Sequence, residues 1–196
     1  GYSVRYPHKE VYLYDIDEHI CGVWDYLIRA PELEVMSLPL NVTHVDDLDC
    51  CPEAKWLIGF WPNKGTASPR KSPSKWMRDK WSPGSFWGEK IRHRIATQQK
   101  HIRHWNIEQS SYLDIPDRNA SWFIDPPYNN KAGRLYRHSD INYSDLAEWT
   151  EGRSGQLIVC ENQGADWLDF EFLCNAKGLE GKHGKKISRE VSYERH

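Results

Sequence analysis

The stretch Ala120-Ser121-Trp122-Phe123-Ile124-Asp125-Pro126-Pro127-Tyr128 decides how the rest of the chain is read. Trp122 to Ile124 is a short apolar run, which reads as a buried strand. It stops at two prolines, neither of which can donate a hydrogen bond to a sheet ladder. An acidic group, a rigid turn and an aromatic ring are therefore delivered together at a strand's carboxyl end, the place where open α/β sheets bind ligands. As four bare residues the pattern is equally an ordinary turn, because Asp-Pro and Pro-Pro are both frequent turn words. Its surroundings have to decide.

Downstream of Tyr128, Asn129-Asn130-Lys131-Ala132-Gly133-Arg134 is polar, has no core residues and is expected to form a mobile loop. Asp140 to Thr150 then reads as a helix with Leu146 and Trp149 inward. Gln156 to Cys160 is the clearest strand in the chain and is followed by Glu161-Asn162-Gln163-Gly164. Phe170 to Cys174 and Ile187 to Tyr193 are expected as closing strands around a Gly/Lys-rich turn over 177–186. The alternation of Ile187, Arg189, Val191 and Tyr193 has the strand period. Upstream, Trp105 to Ile115 contains an expected strand before Asp114. Together with the strand into Asp125 it suggests consecutive parallel-sheet edges.

Near the start, Val11 to Tyr14 is rich in β-formers and ends in Asp15-Ile16-Asp17-Glu18. Ile20, Val23, Trp24, Leu27 and Ile28 follow at helical spacing, and Pro31 ends the helix. A carboxylate in such a strand–tip–helix unit accepts hydrogen bonds from ribose hydroxyls in nucleotide-binding α/β folds. An acidic helix N-terminus, favoured by the macrodipole, explains the same residues more simply.

The chain has 196 residues and a net charge of -2, so as a whole it is no polyanion binder. The distribution is informative: residues 64–104 hold eleven Lys/Arg and two Asp/Glu, leaving -11 on the remainder. Serine–proline pairs at Ser68, Ser72 and Ser82 break regular structure, so 62–84 is expected as a mobile loop. Lys64, Arg70, Lys71, Lys75, Arg78 and Lys80 interleave there with Trp76 and Trp81. A helix from about Glu89 to His104 carries Arg92, Arg94, Lys100 and Arg103 beside Ile91, Ile95 and Ile102. Basic side chains among aromatics suit a phosphate backbone plus base stacking. A solvated loop and surface helix is the bland alternative, and the charge imbalance favours nucleic acid. The five cysteines lack zinc or framework spacing and read as reduced thiols in a cytoplasmic protein. No apolar run is long enough to span a membrane.

The tetrad has a chemical use that a turn lacks. An exocyclic amino group of a base is a poor nucleophile, since its lone pair is delocalised into the ring. Hydrogen bonds from its two protons to the Asp125 carboxylate and to a backbone carbonyl beside Pro126 would favour pyramidal nitrogen. Two prolines aim that carbonyl without entropic loss, and Tyr128 can stack on the base. This is positioning with electrostatic preorganisation, and the base must leave the duplex to reach it.

These residues resemble the phage and bacterial Dam-like (D12-type) DNA adenine-N6 methyltransferases, which use S-adenosylmethionine. Asp125-Pro126-Pro127-Tyr128 matches that family's signature tetrad. Tyr14-Asp15-Ile16-Asp17 before a helix resembles its second motif, which implies that Asp15, with Ile16 beside it, holds the cofactor's ribose. Asp114, with Ile115, falls where the family places an acidic contact to the cofactor's adenine. Gly1-Tyr2-Ser3 resembles the tail of its glycine motif, which implies cofactor contacts at Gly1 and Tyr2. The family's first strand and most of its glycine loop would then lie upstream of Gly1. The resemblance implies a Rossmann-like methyltransferase fold, a mixed, mostly parallel sheet closed by an antiparallel strand, with a small helical insertion. The catalytic domain would comprise 1–30 and 105–196, and the basic target-recognition insertion 31–104. Double-stranded DNA is the implied partner, contacted by Arg70, Lys71, Lys75, Arg78, Lys80, Arg92, Arg94, Lys131 and Arg134. The implied cofactor is S-adenosylmethionine without a metal, and a monomer is expected.

Other readings remain. Cytosine-C5 chemistry needs a thiolate following a proline, whereas Cys51-Pro52 has the reverse order and Cys160 ends an apolar strand. Cytosine-N4 methylation uses nearly the same amino-group geometry, with Ser more often leading the tetrad. Relatives that methylate protein or RNA carry Asn there. A catalytically silent DNA-binding or DNA-mimicking module is the reading from a different class.

Overall fold

A computed structural model describes residues 5–63, 66–75, 78, 86–181 and 184–196. Gly1, Tyr2, Lys64, Trp76, Lys80 and Trp81, named above, lie outside them. The chain is mixed α/β, with two sheets and five α-helices among the described residues, and divides into two compact units, Gly1–Tyr112 and Leu113–His196.

In the first unit, β1 (Tyr12–Asp15) pairs in parallel with β2 (Asn106–Gln109). Helix α1 (Glu18–Arg29) starts on Asp17, whose buried side chain accepts from the His19 amide at 2.8 Å. Such a cap is worth about 1 kcal/mol. Asp17 and Glu18 thus begin a helix, and only Asp15 ends a strand. Pro31 closes α1 as its position requires, and α2 (Glu32–Ser37) follows at once. A 3-10 turn, Val45–Asp47, leads to α3 (Pro52–Gly59), which has Pro at its first position. Helix α4 (Glu89–Gln98) then ends in a 3-10 turn, Gln99–His101, short of the expected His104.

Segment 31–104 shares its core with α1: Val23, Tyr26 and Ala30 cluster with Val35, Leu38, Val45, Leu57, Ile58, Trp87 and Ile91. Buried polar groups serve that core. The Trp87 indole donates to the Pro39 carbonyl at 2.6 Å, and the Gln99 amide to the Leu27 carbonyl at 3.1 Å. The described part of the expected mobile loop is largely irregular but bonded. The Arg70 amide donates to Gly59, the Val45 amide to Lys71, and Asn63 bridges Ser72 and Ser74.

In the second unit the strand order is β3-β4-β6-β5. β3 (Ala120–Ile124) runs parallel to β4 (Gly155–Asn162). β6 (Gly184–Arg195), last in sequence, inserts antiparallel between β4 and β5 (Glu171–Gly181). The expected turn over 177–186 is therefore mostly strand, because cross-strand pairing extends from Glu171 to Gly181. Helix α5 (Tyr143–Glu151) is capped by Asn142, which accepts from the Ser144 and Asp145 amides. It buries Leu146 and Thr150 and sets Trp149 edge-on to Trp122, with ring centroids 5.8 Å apart. The Arg153 guanidinium lies over both rings and donates to the Ile115 carbonyl at 3.2 Å.

Two expectations need correction. Trp122–Ile124 is not buried on both faces, because β3 alternates: Trp122 packs on α5 while Phe123 is 68 % exposed. Strands β2 and β3 are not consecutive edges of one sheet, since β2 pairs with β1 and β3 with β4.

Candidate active site

The parallel pairing of β3 with β4 carries the chain as far as Ile124, opposite Val159. Beyond it the prolines end the ladder, and Asp125 to Tyr128 follows at the carboxyl end of β4, where Asn162 pairs with Glu190 of antiparallel β6. The Tyr128 hydroxyl donates to Glu190 Oε2 on β6 at 3.2 Å. It also bonds the Asp125 side chain, so one phenol serves two carboxylates. Burial, then the charges of Asp125 and Glu190, push the Tyr128 phenol well above its ordinary value. It therefore stays protonated and can go on donating.

Asp125 keeps contact with solvent, yet burial of its carboxyl pushes its pKa upward. The Tyr128 bond opposes this, and the Glu190 and Glu161 charges add to it. The Asp125 carboxyl is thus a strengthened acceptor for an N–H donor.

The backbone of the turn is fixed on both sides of Tyr128. The Tyr143 hydroxyl, at the start of α5, donates to the Pro127 carbonyl at 2.5 Å. The Asn129 amide donates to Glu161 Oε2 at 2.8 Å. The Pro126 carbonyl has no protein donor among the described residues. An accepting carboxylate and an unclaimed carbonyl, one residue apart, suit an amino group with two protons to give.

The loop after Tyr128 is built rather than loose. Asn130 Oδ1 accepts from the amides of Ala132 and Gly133 at 2.8 and 3.1 Å. Gly133 is buried, and a Cβ there would stand 1.9 Å from the Tyr128 carbonyl oxygen. Only glycine fits so close a backbone approach. The loop adds no side chain to the hydrophobic core, as expected, but it buries this glycine. Lys131 and Arg134 are exposed on the loop, beside exposed Leu135 and Tyr136.

Asp15 belongs to the first unit, as the last residue of β1, half-buried, with Oδ1 accepting from the Asp17 amide at 2.8 Å. A carboxylate offers about four lone-pair sites, so its chemistry fits a pair of ribose hydroxyls. Ile16 is 47 % exposed, and its carbonyl accepts from Gln109. Asp114 does not end a strand: β2 stops at Gln109, and Asp114 is exposed in a 3-10 turn, Tyr112–Asp114. Ile115 is buried.

The basic residues divide by what they touch. Arg70, Lys75, Arg78 and Arg94 are exposed, Arg78 also donating to the Pro73 carbonyl. The Lys71 ammonium lies 2.7 Å from Asp46. Arg92 is half-buried and donates to the Leu38 carbonyl at 2.6 Å. Arg103 holds the Ile28 and Ala30 carbonyls at the end of α1.

Glu161, Glu190, Tyr143 and Trp167 were not singled out by sequence reasoning. Glu161 had a usable signal: it keeps the period of Leu157 and Val159, both fully buried, so a buried carboxylate was implied. All five cysteines are free, and burial with the charges of Asp125, Glu190 and Glu194 pushes the Cys160 thiol up to about 11. Among the described residues no helix is long and apolar enough to cross a membrane, and no group of His, Cys, Asp and Glu is placed to hold a metal. No family of proteins matches this sequence, and no curated protein resembles it closely enough to count as a relative.

Proposed function

We propose that the protein is a DNA adenine-N6 methyltransferase of a Rossmann-like, Dam-like kind that uses S-adenosylmethionine. The observation that carries this reading is the Asp125–Tyr128 turn. It pairs a strengthened carboxylate acceptor with an unclaimed Pro126 carbonyl, at the end of a parallel strand and beside an aromatic ring. The insertion of β6 antiparallel beside β4 agrees with the closing strand that the resemblance implies.

Asp125 and the Pro126 carbonyl would each accept a hydrogen bond from the target amino group, which draws its lone pair from the ring back to nitrogen. Tyr128 stacks on the flipped base. When bound, S-adenosylmethionine would supply an electrophilic methyl group on a sulfonium, its thioether being the leaving group, and Asp125 would pass the surplus amino proton to solvent. Asp15 would accept the hydroxyls of the donor's ribose. Exposed Arg70, Lys75, Arg78 and Arg94, with Lys131 and Arg134, would meet phosphates.

The test is transfer of a labelled methyl group from S-adenosylmethionine to duplex DNA, followed by nucleoside digestion. N6-methyladenine is expected, and none should form with Asp125→Ala, provided that variant stays folded. N4-methylcytosine would move the reading to the related base. Absence of transfer by the folded wild-type protein would favour a silent binding module.

A further inference from the structure

We infer that Glu161 is the positioning residue of this site: it fixes the peptide that follows Tyr128 and, through Trp167, braces the side chain that fixes the one before it. The inference rests on the reading of Asp125–Tyr128 as an amino-group clamp.

Glu161 is 1 % exposed, on β4 in the phase of Leu157 and Val159. An apolar side chain would fill that place at no electrostatic cost, whereas a buried carboxylate is tolerated only when its oxygens are satisfied. They are. Oε2 accepts from the Asn129 amide at 2.8 Å and from the Trp167 indole at 3.2 Å, and Oε1 accepts from the Asn162 amide at 2.8 Å. The Trp167 ring lies 5.5 Å from Tyr143 and 5.0 Å from Phe170, so its place is set by packing as well. Tyr143 in turn donates to the Pro127 carbonyl. The peptide groups on both sides of Tyr128 are thus tied into one connected set, while Glu190 holds the phenol. What remains for a ligand is the outer edge of the turn, Asp125 and the Pro126 carbonyl.

Glu161 also acts through its field, because its charge is one of those that raise the Asp125 carboxyl, together with Glu190. Removing it should lower the pH at which Asp125 takes up a proton.

Glu161→Gln keeps the shape but removes the charge and turns an amide N–H₂ toward a set of N–H donors. Misplacement of reacting groups by about 1 Å costs on the order of a hundredfold. The variant is therefore expected to lower kcat about a hundredfold, with KM for DNA and for S-adenosylmethionine changed less than about threefold. The acidic limb of its kcat–pH profile should move to lower pH, and the Asn129 amide resonance should lose its downfield position and its protection from exchange. Unaltered kcat and pH limb in a folded Glu161→Gln protein would overturn the inference and leave the methyltransferase reading standing. Absence of transfer by the wild type would remove that reading; the Asn129 amide would then decide on Glu161, and an unmoved resonance would overturn its assignment. Should Glu161→Gln fail to fold, Trp167→Phe carries the test. It keeps the ring packing, deletes one donor and should lower kcat about tenfold at unchanged KM; wild-type kcat there would overturn the inference.

Discussion

At the scale of the residue, Asp125 sets function against stability. Its carboxyl is raised by burial and by neighbouring charges, so it binds a proton more readily folded than unfolded. Stability therefore increases as pH falls through the raised folded value, and a cost persists above it, at neutral pH. Asp125→Asn removes that cost while spoiling the acceptor. It should raise the thermal midpoint at pH 7 and lower methyl transfer about a hundredfold or more. Calorimetry beside a transfer assay checks both, and a midpoint that falls would refute the argument. The working form is the carboxylate, so wild-type kcat should be lost as pH falls, with its acidic limb above the ordinary carboxylate position. Cys160 makes a contrasting case. With its pKa near 11, only about one thiol in a thousand is ionised at pH 8. Iodoacetamide at that pH should modify exposed Cys174 and spare Cys160, as peptide mass spectrometry would show.

At the scale of the element, the site depends on how tightly the loop after Tyr128 folds back upon it. A Cβ at Gly133 would meet the Tyr128 carbonyl oxygen at 1.9 Å and its nitrogen at 2.7 Å, both backbone atoms that cannot rotate away. Gly133→Ala should cost about 1–3 kcal/mol in urea unfolding, the usual penalty of overpacking, and should displace Tyr128. Unfolding by the wild-type curve would show that the loop yields freely. This approach was hidden in the sequence, where 129–134 reads only as polar. By contrast β1, α1, α5 and β4 were legible, because hydrophobic period, a cap and a proline stop are local signals. The ends of elements set by pairing were not. Asp114 looked like a strand end because a strand was expected before it within Trp105 to Ile115, yet the ladder with β1 closes at Gln109. β5 and β6 run through residues whose Gly and Lys content signals a turn. The acceptors that organise the tetrad lie 32 and 62 residues beyond the groups that reach them, and no local pattern joins residues so far apart.

At the scale of the whole molecule, the question is what the basic stretch does. Composition put nine net positive charges in 64–104, and the structure divides their roles. Arg92 and Arg103 direct guanidinium groups at the carbonyls of Leu38, Ile28 and Ala30, and so are committed to holding the first unit together. Lys71 is paired with Asp46, an exposed bridge worth about 1 kcal/mol at most. Arg70, Lys75 and Arg94 are exposed and make no ion pair among the described residues. Each phosphate neutralised on duplex DNA contributes about 0.9 to the slope of log affinity against log salt. Replacing Arg70, Lys75 and Arg94 together by Ala should therefore flatten that slope by roughly 2–3 at an unchanged thermal midpoint. Arg103→Ala should do the reverse, lowering the midpoint through two orphaned carbonyls while leaving the slope nearly as it was. Titrations of labelled duplex at several salt concentrations, beside melting curves for both proteins, separate the two roles. A slope unmoved by the triple substitution would mean that these three residues are ordinary surface, and DNA contact would then have to rest on others such as Arg78, Lys131 and Arg134.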